Sequence, residues 1–269
     1  MKVIDMHTHI FPEKIAAKAT IATAEYFDLP EPPNHYGSVN ELLEVLGRAH
    51  IDYAMVFSAA TTAHQVEHIN RYILSETEAH PGLIPCGTLH AGYEGYREEL
   101  QWMREHGIYG VKLHPEFQHF ALDDERLFPM FEEMERQDMF LIAHMGDPRV
   151  NVSSPRHMIP IAVAFPRLRC IAAHLGNWGD WDVEKIRPLA KLPNVYTDIS
   201  SSFSYVADKA PLYPILREYD PTHVFWGSDY PIWCPQKELD KALALGLEQT
   251  FLEDVLFNNF AAFYHYRKL

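Results

Sequence analysis

Eight short apolar runs recur along the chain. They are "KVIDMH" (2–7), "DYAMVFSA" (52–59), "LIPCGTLH" (83–90), "IYGVKLH" (108–114), "MFLIAHM" (139–145), "LRCIAAH" (168–174), "NVYTDIS" (194–200) and "HVFWGSD" (223–229). After the first, they start roughly 25 to 30 residues apart, enough for one helix and two short loops per unit. The intervening segments carry helix signals. "SVNELLEVLGRAH" opens with Ser38 and Glu41 at capping-box spacing. "GYREELQWMREHG" ends on Gly107 at a C′ position. "DDERLFPMFEEMERQD" offers Asp123 or Asp124 as N-cap, "VEKIRPLAKL" is weakened by Pro188, and "LEQTFLEDVLFNNFAAFYHY" reads as one long amphipathic helix or a pair.

Strand–helix alternation repeated eight times predicts an α/β fold with a parallel sheet and helices outside. Eight units in 269 residues fit a closed (β/α)8 TIM barrel. An open doubly wound sheet is the alternative, but no Gly-rich phosphate loop follows the first run. No domain boundary is visible, so residues 1–269 read as a single domain. The largest departure is residues 11–50, a β1–α1 insertion holding "EKIAAKATIATAEYF" and the Pro-rich "DLPEPPNHYG". It either covers the barrel mouth or is a surface excursion.

Composition narrows the function classes. A formal net charge of −14 argues against nucleic-acid binding, since nothing here would neutralise a phosphate backbone. It argues more weakly against docking on anionic membranes. No run approaches the roughly 18 apolar residues of a membrane span. The first residues enter a strand at once, so no signal peptide is expected. Cys86, Cys170 and Cys234 form no C-x-x-C, which suits a reducing cytoplasm.

Histidine is the over-used ionisable residue. With 16 in the chain, chance supplies about one His-x-His, so "HTH" at 7–9 decides nothing alone. Its position does. In a (β/α)8 barrel all strand C-terminal ends meet at one face. His7 and His9 end the first run, Lys112 and His114 the fourth, His144 the fifth, His174 the sixth and Asp229 the eighth. Each as a lone buried group would need its own partner; one shared metal ion satisfies several together. Side chains at i and i+2 of a strand stand about 7 Å apart on one face. Two such imidazoles can lean onto one ion. His7, His9, His144 and Asp229 offer three nitrogens and one oxygen, a set suited to Zn²⁺ and tolerant of Mn²⁺ or Fe²⁺. In "HLGNWGDWD", Asn177, Trp178 and Trp181 could line a pocket for a flat or sugar-like substrate, or anchor loops; Trp233 carries the same ambiguity. His64, His68, His80, His106 and His119 fall in helix or loop positions, are expected to be exposed, and stay outside the site.

As an ordered set, "DMHTHIFP", "GVKLHP", "AHMGD", "AHLGN" and "WGSDYP" resemble the amidohydrolase superfamily, in the branch that includes aminocarboxymuconate semialdehyde decarboxylase and related metal-dependent hydrolases. The resemblance spans essentially the whole chain. It implies that His7, His9, His144 and Asp229 bind one divalent metal ion and that Asp229 can also take a proton. It implies that His174 is a catalytic acid/base. Other branches place a carboxylated lysine at the fourth strand. The branch resembled is mononuclear, so Lys112 or His114 is expected instead to contact an anionic substrate group, unless Lys112 packs along the barrel wall. The implied activity is hydrolysis of an amide, ester or lactone of a small, carboxylate-bearing substrate. The alternatives are a non-oxidative decarboxylase and a catalytically silent metal- or ligand-binding barrel. The resemblance also suggests a homodimer.

Overall fold

The computed structural model describes residues 1–29, 32–205, 208–266 and 269. All eight expected strands form, and every pairing is parallel. They are β1 (Ile4–His9), β2 (Tyr53–Phe57), β3 (Leu83–Pro85, resuming after Cys86 as Gly87–Thr88), β4 (Gly110–Leu113), β5 (Phe140–Ala143), β6 (Arg169–Ala172), β7 (Val195–Asp198) and β8 (Val224–Phe225). The ring joins where β1 meets the segment after β8. Met6 N–H donates to Trp226 O at 3.2 Å, His9 N–H to Tyr230 O at 2.7 Å, and Thr8 bridges Tyr230 in parallel. The fold is a (β/α)8 barrel.

Alternation along the strands sorts the core into two layers. Phe140 and Ile142 of β5 and Ile171 of β6 fill the lumen with Met55, Phe57, Ile84 and Phe225. Leu141, Ala143, Cys170 and Ala172 face outward into the strand–helix layer. Phe260, Phe263 and Tyr264 of the C-terminal helix join the lumen cluster. That helix is neither one regular helix nor a separated pair: a π-helical turn at Asp254–Asn258 links Gln249–Glu253 to Asn259–Phe263.

β1 breaks the alternation once. Its register against β2 slips between Asp5 and Thr8, so one extra residue is accommodated there. Ile4 and Met6 therefore belong to the lumen cluster, and His7 and His9 also reach the lumen, edge-on to Phe57 at 5.0 and 4.8 Å.

The insertion forms helices α1 (Glu13–Tyr26) and α2 (Val39–Ala49). The capping box expected at α2 is half made. Ser38 Oγ accepts from Glu41 N–H, but the Glu41 carboxylate instead takes the Tyr36 N–H at 2.8 Å and the Tyr230 hydroxyl at 3.2 Å. Of "DLPEPPNHYG", residues 30 and 31 lie outside the described residues. Among the described residues no helix is long and apolar enough to cross a membrane.

Candidate metal centre

The bulge in β1 and the exit of β8 place the first donors. Gly227 lies so close to β1 that a Cβ there would come within 2.6 Å of the His7 Cβ. Asp229 N–H donates to His7 O at 2.9 Å. The carboxylate of Asp229 then faces both β1 imidazoles: its Oδ1 is 3.5 Å from His7 Nε2 and 3.6 Å from His9 Nε2. These separations are too long for hydrogen bonds. They are close to the roughly 3.3 Å that separates two donors held about 2.0–2.1 Å from one ion at a tetrahedral angle. The ligand atoms of His7, His174 and Asp229 all lie within 4.8 Å of one another. The donor set and its spacing fit a divalent transition metal.

The other ring nitrogen of His7 is fixed from below: Nδ1 stands 3.0 Å from Asp198 Oδ2 at the end of β7. With Nδ1 protonated and donating to that carboxylate, Nε2 keeps its lone pair, which faces Asp229 Oδ1 and has Lys112 Nζ 3.1 Å away. His174 is held comparably, its Nδ1 3.0 Å from Ser200 O and 2.9 Å from Ser200 Oγ. Its Nε2 is 3.1 Å from His144 Nδ1, a separation that suits either a hydrogen bond or two donors on one ion. His144 in turn lies flat on His114, ring centres 4.2 Å apart and planes within 7°. His114, Glu116 and His144 also bring donor atoms within 4.8 Å of one another. Imidazole lone pairs lie in the ring plane, so two nearly parallel rings do not aim at one ion. His144 joins the metal cluster through His174, and His114 stands behind it.

Burial and the nearby charge of Lys112 hold His7, His9 and His114 well below the ordinary histidine pKa; for His144 burial acts first and His114 second. All four are neutral at neutral pH, the form that binds a metal. Burial also raises Asp5 to about 7, against the hydrogen bonds from Ser228 and His7. It lowers Lys112 to about 8, against the attraction of Asp198 and Asp229.

Above these groups lies a cavity of about 450 Å³. Its floor is His9, His144, His174 and Asp229. Phe117, Trp178 and Trp233 stand at its sides. Ala19, Thr23, Tyr26 and Phe27 bring the insertion over it, so its first part, within residues 11–29, covers the barrel mouth. Arg149 ties the roof to the β5 loop. It pairs with Asp147 at 2.8 Å, donates to Tyr26 O, and lies 4.8 Å over the Tyr26 ring.

Two residues considered for substrate contact do not line the cavity. Lys112 is fully buried beneath the site, Nζ 3.1 Å from His7 Nε2 and 4.9 Å over Phe57, and is not part of the cavity wall. A β4 side chain at that height points into the lumen below the rim. Asn177 donates to Asp180 O at 2.8 Å and holds its own loop together, also outside the wall. His114 and Trp178 do line the cavity. Trp181 packs on the outer core. Of the histidines set aside, His64, His68, His106 and His119 are exposed, His119 at the edge of the cavity, and His80 is half-buried. Asp198, Ser200 and Ser201 are site neighbours that no motif in the sequence marks. "YTDIS" ends the seventh run at the same rim as the other donors, and that placement was the available signal.

A family model described as Amidohydrolase matches residues 4–265. No curated protein matches. Among solved structures, an uncharacterized TIM-barrel protein from Bordetella bronchiseptica is similar with a TM-score of 0.77 at 20% identity, covering 97% of each chain. The 5-carboxyvanillate decarboxylase of Sphingomonas paucimobilis follows with 0.73 at 14%, covering 98% of this chain and 99% of that one. A proposed 2-pyrone-4,6-dicarboxylic acid hydrolase from Pseudomonas putida gives 0.70 at 18%, covering 100% and 99%.

Proposed function

The chain belongs to the amidohydrolase family, and on that premise we propose that it is a metal-dependent hydrolase acting on an amide, ester or lactone carbonyl of a small, largely apolar substrate. The observation that carries this reading is the pair of separations from Asp229 Oδ1 to His7 and His9, which suit shared ligands and not hydrogen bonds. His7, His9, His144 and Asp229 would hold the ion, with Zn²⁺ the first choice and Mn²⁺ or Fe²⁺ as alternatives. When bound, such an ion polarises a carbonyl and lowers the pKa of a water to about 7.

The chain's own groups supply the rest. Asp229 takes the proton released as water adds and delivers it to the leaving group. His174, whose Nδ1–H is donated to Ser200, turns the Nε2 lone pair toward the site, where it takes up a proton and, once protonated, steadies the oxygen that gains charge. The aromatic walls accept a flat apolar body, and the polar floor orients its reacting end. An anionic group on the substrate would lie toward His114, above the charge of Lys112.

The apolar cavity also favours a second reading, a non-oxidative carboxy-lyase. Removing a carboxylate from water disfavours it relative to a transition state in which its charge is dispersed.

A substrate screen separates the two. Purified protein with about one equivalent of transition metal is offered small lactones, esters and amides, and in parallel aromatic or unsaturated carboxylates with CO₂ detection. Carbonyl hydrolysis is expected. CO₂ release alone would move the protein to the lyases, and metal-free protein with undiminished turnover would remove both readings.

A further inference from the structure

Four cavity-lining residues carry positive φ without being glycine: His119 at 58°, His174 at 59°, Ser201 at 56° and Asp229 at 61°. His119 caps the short helix Pro115–Gln118. Left-handed backbone is strained for a non-glycine residue, and such outliers concentrate where the surroundings hold them for a purpose. For His174 and Asp229 the purpose is the site already described. Ser201 belongs to neither the family-derived ligand set nor the proton transfers above.

Its contacts assign it one. Ser201 Oγ lies 2.8 Å from Trp233 Nε1 and 2.5 Å from Asp229 Oδ2. An indole N–H can only donate. It therefore occupies a lone pair of the serine oxygen and leaves the single hydroxyl proton to point at Asp229. The direction of the chain is fixed: Trp233 donates to Ser201, and Ser201 donates to Asp229. The indole is itself steadied by the Lys241 ammonium 5.6 Å over its ring. The two oxygens of Asp229 are thereby divided. Oδ2 is held by the serine, and Oδ1 is the one presented to His7 and His9.

We propose that Ser201, oriented by Trp233, is a positioning residue that fixes the rotation of the Asp229 carboxylate so that one oxygen alone is offered as a ligand. This rests on the reading of Asp229 as a metal ligand. Without the hydroxyl the carboxylate can turn about its terminal bond, and its ligand geometry is lost to a wider set of rotamers.

Cobalt(II) binding tests this, read by chelator competition and by the visible d–d bands of the bound ion. Ser201→Ala keeps the backbone preference of the parent and removes only the hydroxyl. Ser201→Gly removes it while relieving the positive φ, so one variant at least should fold. Trp233→Phe keeps an aromatic wall and removes the N–H. Both serine variants are expected to bind cobalt about tenfold to a hundredfold more weakly, with altered bands. Trp233→Phe is expected to shift both readouts in the same direction by less. Unchanged affinity and bands in the serine variants, alongside loss of binding in Asp229→Ala, would overturn the positioning role alone. Parental cobalt binding by Asp229→Ala would overturn the ligand assignment and this inference together.

Discussion

His7 and Asp198 meet at 3.0 Å, Nδ1 to Oδ2, both with fully buried side chains. The contact joins β1 to β7 across the lumen and sets the histidine's tautomer. The second oxygen of Asp198 takes backbone N–H groups from His174 at 3.2 Å and Ser200 at 3.0 Å. One carboxylate thus positions two imidazoles of the site. Asp198→Ala is expected to weaken zinc binding about tenfold to a hundredfold. Competition with a chromogenic chelator measures it, and parental affinity would show that His7 is oriented without this partner.

His174 and His7 should separate chemistry from metal retention. His174→Ala is expected to keep its metal and lose about 10²- to 10⁴-fold in kcat. His7→Ala should purify with little metal. Elemental analysis beside turnover checks both, and metal loss in His174→Ala would make that residue a ligand.

The roof predicts a specificity effect. Ala19 lies on α1, half-buried, with its side chain on the cavity. Ala19→Trp should fill part of the roughly 450 Å³ while the exposed helix tolerates the change. KM for bulky substrates should rise severalfold, with metal content and melting temperature close to parental.

Glu41 predicts an acid limb of stability. Burial alone would raise its pKa, but the hydrogen bonds from Tyr36 N–H and His35 hold it below the ordinary 4.5. A carboxyl whose native pKa is depressed contributes stability in full above its unfolded value. That contribution is lost as pH falls through the lowered native value. Thermal melts of Glu41→Gln should therefore lie below parental at pH 7 and converge with it as the pH falls below the ordinary glutamate range. A constant gap across that range would assign the effect to shape and not to charge.

Gly227 predicts a packing effect. With a Cβ meeting His7 at 2.6 Å, Gly227→Ala must push β1 and β8 apart. A loss of about 1–3 kcal/mol is expected in urea unfolding, with weakened metal binding. Parental values for both would show that the strands can shift freely at this point.

The sequence by itself determined the barrel. Strand-forming runs and helix signals are local, and their eightfold order admits few topologies, so each strand was legible to within a few residues. It also determined that His7, His9, His144, His174 and Asp229 share a rim, because that follows from where strands end. The tertiary structure alone decided which of them touch. The bulge at Asp5–Thr8 is a register between two strands, and no single strand encodes it. The depth that makes Lys112 a neighbour of His7 depends on how the strands are staggered around the ring. Asp198 and Ser201 look like ordinary loop-edge residues in the chain. They acquire their roles from partners 191 and 28 residues away, brought within hydrogen-bond reach only when the barrel closes.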